Sequence, residues 1–166
     1  MRRTSAIVGS LLFLVIAPGF VAGVAPWWIT GWKFHPPLLG FVLFRFVGVA
    51  LIVLGAPVIL DSFARFAIQG LGTPAPVLPP KHLVVTGLYR YVRNPMYVGV
   101  AAVIFGQALL FGSVRLLIYG ALVWLAFFLF VLLYEEPKLR HTFGEEYLRF
   151  CQNVPRWIPR ARAWHG

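Results

Sequence analysis

Four apolar runs, separated by shorter polar or proline-rich stretches, organise this chain. The first, Thr4 to Trp32, follows Arg2 and Arg3 and contains no charge. Its most apolar part, about Ala6 to Ala25, rises ~1.5 Å per residue and reaches across the hydrocarbon of a bilayer. It therefore predicts a first transmembrane helix rather than a cleaved signal. Trp27, Trp28 and Trp32 then fall where an aromatic belt sits. A second helix is predicted from about Pro37 to Leu60, with Arg45 some two turns inside and placed to snorkel to the headgroups. Asp61 and Arg65, four apart, read as a helix-surface pair at the membrane edge. The third run follows Asn94 and Pro95, a favoured N-cap and a residue suited to the first helical position, so a helix is predicted from Asn94 to about Phe111. Gly99, Ala102 and Gly106 form a stripe of small residues on it that admits a close neighbour. Between Gly112 and Arg115 there is room only for an antiparallel hairpin, which makes the fourth helix, Val114 to Tyr134, a neighbour of the third. After Glu135, Glu136 and Pro137, the residues Leu139, Phe143, Tyr147 and Phe150 recur at helical spacing among charges. That pattern predicts an amphipathic helix on the membrane surface, weakened at Gly144.

The expected fold is therefore all-α and integral to the membrane, with about four transmembrane helices and a C-terminal amphipathic interfacial helix. Composition agrees: 60% of the 166 residues are hydrophobic and 12% charged, more apolar surface than a soluble fold of this size hides. The chain reads as a single membrane domain, 1–166, with a two-helix part over 1–69 and a second part over 70–166. They meet at the Gly70 to Pro80 connector GLGTPAPVLPP, too rich in glycine and proline for helix or strand. The formal charge of +10 invites a nucleic-acid reading, but the basic residues sit between and after apolar runs and no reading motif accompanies them. The partner implied is the lipid bilayer, and no nucleic acid. Twelve basic residues share one side of the four-span topology and only Lys33 and Arg115 lie on the other, which places both termini in the cytoplasm. Cys151, the single cysteine, reads as a small apolar residue on the tail helix, and with four scattered histidines it makes no metal site. His141 reads as a surface residue of that helix.

Chemistry concentrates between Leu83 and Gly99, where LVVTGLYRYVRNPMYVG joins a basic, aromatic loop to an apolar helix. A helix beginning at Asn94 leaves backbone N–H groups unpaired at the positive end of its dipole, a place for a carboxylate or phosphate. Tyr89, Tyr91 and Tyr97 bring ring faces near that point, and such faces attract cations. Together they suit a zwitterionic ligand. Glu135 and Glu136 are two of only five carboxylates in the chain, and at a helix C-terminus they would oppose the dipole, which invites a functional reason.

The words GLYRYVRNPMYVG, the Glu135-Glu136 pair, FGEEY and VPRWIP, in that order over Gly72 onward, resemble the isoprenylcysteine carboxyl methyltransferase and phospholipid methyltransferase superfamily. The resemblance implies an integral membrane enzyme that takes a methyl group from S-adenosylmethionine to a lipophilic or small-molecule acceptor, in a bacterial plasma membrane. On it, His82, Leu83, Val84 and Val85 match a segment that lines the adenosine. Tyr89, Asn94, Pro95, Met96 and Tyr97 match the cofactor-binding segment, and Glu136 matches the cofactor-binding glutamate. No catalytic residue is assigned; Arg90, Arg93 and Glu135 are candidates. Asn94 stands where the eukaryotic prenylcysteine enzymes have a histidine, so it can donate hydrogen bonds but not accept a proton near neutral pH. Leu132 stands where they place an arginine for the acceptor carboxylate, which argues against isoprenylcysteine unless Arg45, Arg90 or Arg93 takes that task.

Two other classes compete. A sterol-reductase-like oxidoreductase would share a similar C-terminal membrane architecture, although no GxGxxG fingerprint is present. A non-enzymatic four-helix protein, transporter or assembly factor, is opposed in the transporter case by the lack of a mid-span carboxylate.

Overall fold

The computed structural model describes residues 16–68 and 83–165, with side chains omitted at 66–68. The beginning of the first predicted helix, the Gly70 to Pro80 connector and His82 lie outside the described residues. Among the described residues all regular structure is helical. Helix α1 covers Ile16–Thr30, α2 Leu43–Ile68, α3 Pro95–Phe111, α4 Val114–Phe130 and α5 Glu136–Asn153. Two helical stretches, Leu43–Arg65 and Val114–Asn153, are long and apolar enough to cross a bilayer, while α1 and α3 are shorter apolar helices. Only 17% of the most apolar window of each long stretch is buried, so neither is the core helix of a soluble protein. Ile118, Leu122, Leu125 and Leu129 of α4 are exposed at helical spacing, an outward apolar stripe that belongs in lipid.

Helix α1 runs past the expected end at Ala25, with Trp27 and Trp28 still helical, and stops at Gly31, whose left-handed φ of 57° lets its N–H reach Trp27 O. Pro26 inside it has no N–H to give, and the preceding turn widens into a π-turn, Phe20–Val24. Side chains from two other helices accept the task. Tyr119 donates to Val21 O at 2.8 Å and Gln107 Nε2 to Ala22 O at 2.7 Å. These bonds satisfy carbonyls that lipid cannot.

Helix α2 starts later than expected and ends later. Pro37 precedes a short 3₁₀ turn, Leu38–Gly40, in which Leu39 takes a φ of 52°, so the regular helix begins at Leu43. It then continues through the Asp61 and Arg65 pair, closed at 2.7 Å, to Ile68. Arg45 lies in its first turn rather than two turns in. Its Nη2 donates to His35 O at 2.8 Å and its guanidinium sits 5.3 Å from the centre of the Phe34 ring, so it closes the α1–α2 connection.

The α2–α3 crossing explains the small-residue stripe. A β-carbon on Gly106 would lie 2.7 Å from Gly48 O, and one on Gly55 would lie 2.8 Å from Gly99 O. The two antiparallel backbones therefore touch at two glycine pairs, each seven residues apart along its helix. Ile59, Phe63, Val100, Ile104, Ala108 and Leu116 pack into the buried core of this bundle. At the far end of α3, Gly112 turns left-handed (φ 69°) and Ser113 Oγ accepts from Leu116 N, which makes the predicted hairpin to α4.

Helix α4 does not end at Tyr134. A π-turn, Val131–Glu135, carries it without interruption into α5, which bends at Gly144 (φ 51°). At ~1.5 Å per residue this run is about twice the ~30 Å of a bilayer core, so α5 projects beyond the membrane. Tyr147, Phe150 and Val154 form a second buried cluster there, against which Leu83, Val85, Leu139, Phe143 and Trp164 pack. The amphipathic pattern thus buries its apolar face on the loop and the tail of the same chain.

Candidate active site at the α3 end of the bundle

The C-terminal end of α2, the start of α3 and the end of α4 meet on one side of the bundle, and the loop Leu83–Asn94 covers them. Gly87 takes a φ of 52° as it opens a 3₁₀ turn, Gly87–Arg90, and the Arg65 guanidinium lies where its β-carbon would be. The Asp61–Arg65 pair is therefore more than an edge feature: it docks the loop through a contact only glycine allows. Tyr89 is buried beside it and shares a hydrogen bond with Ser62. Burial pushes its hydroxyl well above the ordinary range, so it stays protonated.

Asn94 occupies the N-cap position but does not cap. Its φ and ψ of −122° and 55° turn the side chain away, and Nδ2 donates to Arg156 O at 3.2 Å. Pro95 behind it is fully buried, and Met96 packs on the bundle core. Tyr97, one turn into α3, sets its ring 4.8 Å from Phe127 and donates its hydroxyl to Glu135 Oε2 at 2.9 Å.

The π-turn separates the two glutamates. Glu135 faces α3 through Tyr97. Glu136, 4% exposed, faces the loop and the tail. Arg156 holds it with both arms, Nε to Oε1 at 2.6 Å and Nη2 to Oε2 at 2.9 Å, while Arg93 Nη1 donates to Oε1 at 3.0 Å. Neither glutamate ends a helix, so the dipole argument against that position does not apply. The Arg156 guanidinium is held further into its charged form by the hydrogen bond to Glu136. Arg93 Nη1 also donates to Cys151 Sγ at 2.8 Å, which gives the cysteine a polar neighbour that its sequence position did not show. Leu132 is exposed on the outer side of the π-turn.

A strap formed by the tail completes the site. Arg93 N donates to Pro155 O, Arg160 N to Tyr91 O and Trp164 N to Arg90 O, at 2.9, 3.0 and 3.1 Å. Between this strap, the loop and α5 opens a groove of about 560 Å³. Its apolar lining includes Leu83, Val85 and Trp164, and its charged lining Arg90, Glu145, Glu146 and Arg149. Val84 between the first two is buried instead. The predicted residues thus divide into a buried set, Tyr89, Asn94, Pro95 and Glu136, a half-buried pair, Tyr97 and Glu135, and a groove set, Leu83, Val85 and Arg90. Among the described residues no group of three His, Cys, Asp or Glu side chains could hold a metal. The sequence suits Arg156 and Trp164 of the tail to headgroup contact, whereas the structure turns Arg156 onto Glu136 and sets Trp164 in the groove.

The phospholipid methyltransferase family model matches residues 43–146, which takes in α2, the loop, α3, α4 and the first part of α5. The chain belongs to this family. It is 39% identical over 80 residues to the protein-S-isoprenylcysteine O-methyltransferase of Schizosaccharomyces pombe, covering 47% of this chain and 34% of that protein. An Arabidopsis thaliana protein-S-isoprenylcysteine O-methyltransferase B is 33% identical over 78 residues, 46% of this chain and 39% of its own length. The phosphatidylethanolamine N-methyltransferase of Laccaria bicolor is 41% identical over 66 residues, 40% of this chain but 7% of that protein. The chain thus spans between 27% and 39% of the length of the isoprenylcysteine relatives it matches. No solved structure matches it.

Proposed function

We propose that this protein is a membrane methyltransferase that uses S-adenosylmethionine, and that the cluster at the α3 end of the bundle is its active site. The observation that carries the proposal is the convergence of the loop, the start of α3 and both glutamates at one end of an apolar bundle, beside a groove that leads to the surface. The family match supports methyl transfer over a reductase or a non-enzymatic role.

The residues present suit this cofactor. A sulfonium, an ammonium, a carboxylate and an adenosine need an aromatic or acidic neighbour, a guanidinium or helix N-terminus, and an apolar slot, and this end of the molecule holds all of these. When bound, the cofactor supplies an electrophilic methyl group. The chain's own tasks are to orient it, exclude water and align the acceptor. Leu83 and Val85 line the adenosine side, Tyr89, Asn94, Pro95 and Met96 build the wall behind it, and Tyr97 presents its ring. Glu136 is saturated by two guanidiniums, so it acts by holding Arg93 and Arg156 at the site. Glu135 receives one hydrogen bond from Tyr97 and keeps lone pairs for an ammonium group.

The acceptor is a lipophilic amine or a similarly uncharged nucleophile rather than a prenylated carboxylate. Of the arginines that might replace the one missing at Leu132, Arg45 lies at the opposite end of the bundle and Arg93 is committed to Glu136 and Cys151. Only Arg90 remains. In this reading four helices span a bacterial plasma membrane, both termini are cytoplasmic, and the site faces the compartment where the methyl donor is made.

The test is calorimetric binding of S-adenosylmethionine and S-adenosylhomocysteine to the protein in nanodiscs, beside Glu136→Ala and Tyr97→Ala. Micromolar binding of both ligands, lost or strongly weakened in the variants, is expected. Absence of binding by folded, lipid-reconstituted protein would sink the proposal.

A further inference from the structure

The groove between the Leu83–Arg90 loop, α5 and the tail holds charges that enter no ion pair among the described residues. The ion pairs among the described residues join Arg65 to Asp61 and Glu136 to Arg93 and Arg156, and none involves Arg90, Glu145, Glu146 or Arg149. Arg90 Nε is buried without a hydrogen-bond partner among the described residues. Beside these charges lies an aromatic wall whose position is set by main chain. Trp164 N donates to Arg90 O at 3.1 Å, and the indole packs on Phe150 with ring centres 5.8 Å apart and planes tilted by 35°. Trp164, tied by its backbone to Arg90 and set beside Leu83 and Val85 in one groove, is arranged to present a face.

The lining selects its ligand. Two carboxylates disfavour a bare phosphate, and four charges disfavour a plain acyl chain. A flat, neutral heteroaromatic ring matches Trp164, Leu83 and Val85, vicinal hydroxyls match the acceptor oxygens of Glu145 or Glu146, and the guanidinium of Arg90 matches an anionic end. About 560 Å³ is within the range of small-molecule sites. We propose that Trp164 is the adenine-stacking residue of the cofactor site and that the Glu145-Glu146 pair receives the ribose hydroxyls. The proposal rests on the methyl-donor reading above and extends its site into the tail.

The experiment uses the full chain in nanodiscs and two probes, S-adenosylhomocysteine and 5′-methylthioadenosine, which lacks the amino-acid end. Trp164→Ala is expected to weaken both by the same factor, about ten-fold or more, as loss of a base-stacking aromatic does, and Trp164→Phe to restore most of the affinity. Arg90→Gln is expected to weaken S-adenosylhomocysteine and leave methylthioadenosine unchanged. Photolysis of an 8-azidoadenosyl analogue should label the peptide containing Trp164, a readout that does not depend on any variant folding. Wild-type binding with label confined to other peptides, or with equal affinity in Trp164→Ala, overturns the assignment while leaving the methyl-donor reading intact. Equal loss in the alanine and phenylalanine variants would assign Trp164 a packing role only and overturns it as well. Displacement of both probes by phosphoethanolamine would make the groove a headgroup site, and failure of the wild type to bind either probe would remove the reading on which it rests.

Discussion

At the scale of single residues, one buried carboxylate organises the polar side of the site. Glu136 carries two guanidiniums that come from the loop and from the tail, and removing it leaves both without their anion in a poorly solvated place. Glu136→Ala is expected to lower stability by about 3 kcal/mol, as loss of one member of a buried pair does, and a thermal melt in detergent checks this. Arg156→Ala frees the tail as well, so limited proteolysis should remove residues beyond Asn153 faster in that variant than in the wild type. Gly87→Ala is a sharper probe of the loop. Its β-carbon meets the Arg65 guanidinium, and its backbone is left-handed, so the substitution is expected to cost about 1–3 kcal/mol and to displace Tyr89 from Ser62. None of these partners was legible from spacing. Arg156 meets Glu136 across a bent helix and a turn, and Asn94, an ideal cap by type, spends its amide on the tail instead.

At the scale of helices, the stability of the bundle depends on close backbones and on carbonyls freed by proline. A side chain larger than hydrogen at Gly55 or Gly106 must push α2 and α3 apart, so Gly55→Leu and Gly106→Leu are expected to destabilise by about 2–3 kcal/mol or to prevent folding. Gly23→Leu, where a β-carbon meets nothing within 4 Å, should be tolerated, and the contrast in expressed, detergent-stable protein tests the crossing. Gln107→Leu removes the partner of Ala22 O and is expected to cost about 1 kcal/mol. The stripe of Gly99 and Gly106 announced a close neighbour but not which one. Gly48 and Gly55 on α2 answered that, because only the crossing aligns two glycine pairs. Helix boundaries were less legible. Leu39 in a left-handed conformation delays α2, and a π-turn joins α4 to α5 where glutamates and a proline suggested a break.

For the whole molecule, the proposed orientation puts the candidate site on the cytoplasmic side. In a Cys151→Ser background, Lys33→Cys should react with a membrane-impermeant maleimide added to intact cells, and His165→Cys only after permeabilisation. The reverse pattern would turn the site away from the compartment of its methyl donor. The loop, the start of α3 and the glutamates gather at one end because α2, α3 and α4 alternate in direction, and the tail then closes over them by main-chain bonds.

Composition and the lengths of the apolar runs determined by themselves that the chain is helical and carries stretches apolar enough to cross a membrane. These properties follow from transfer of apolar groups out of water and from local backbone preference, both of which are written residue by residue. Tertiary structure alone decided that Glu135 and Glu136 face different partners, that Arg93 and Arg156 share one carboxylate, and that Trp164 and Leu83 line a common groove. Those outcomes depend on a one-residue change of helical register at the π-turn and on contacts between segments far apart in the chain, which no local pattern specifies.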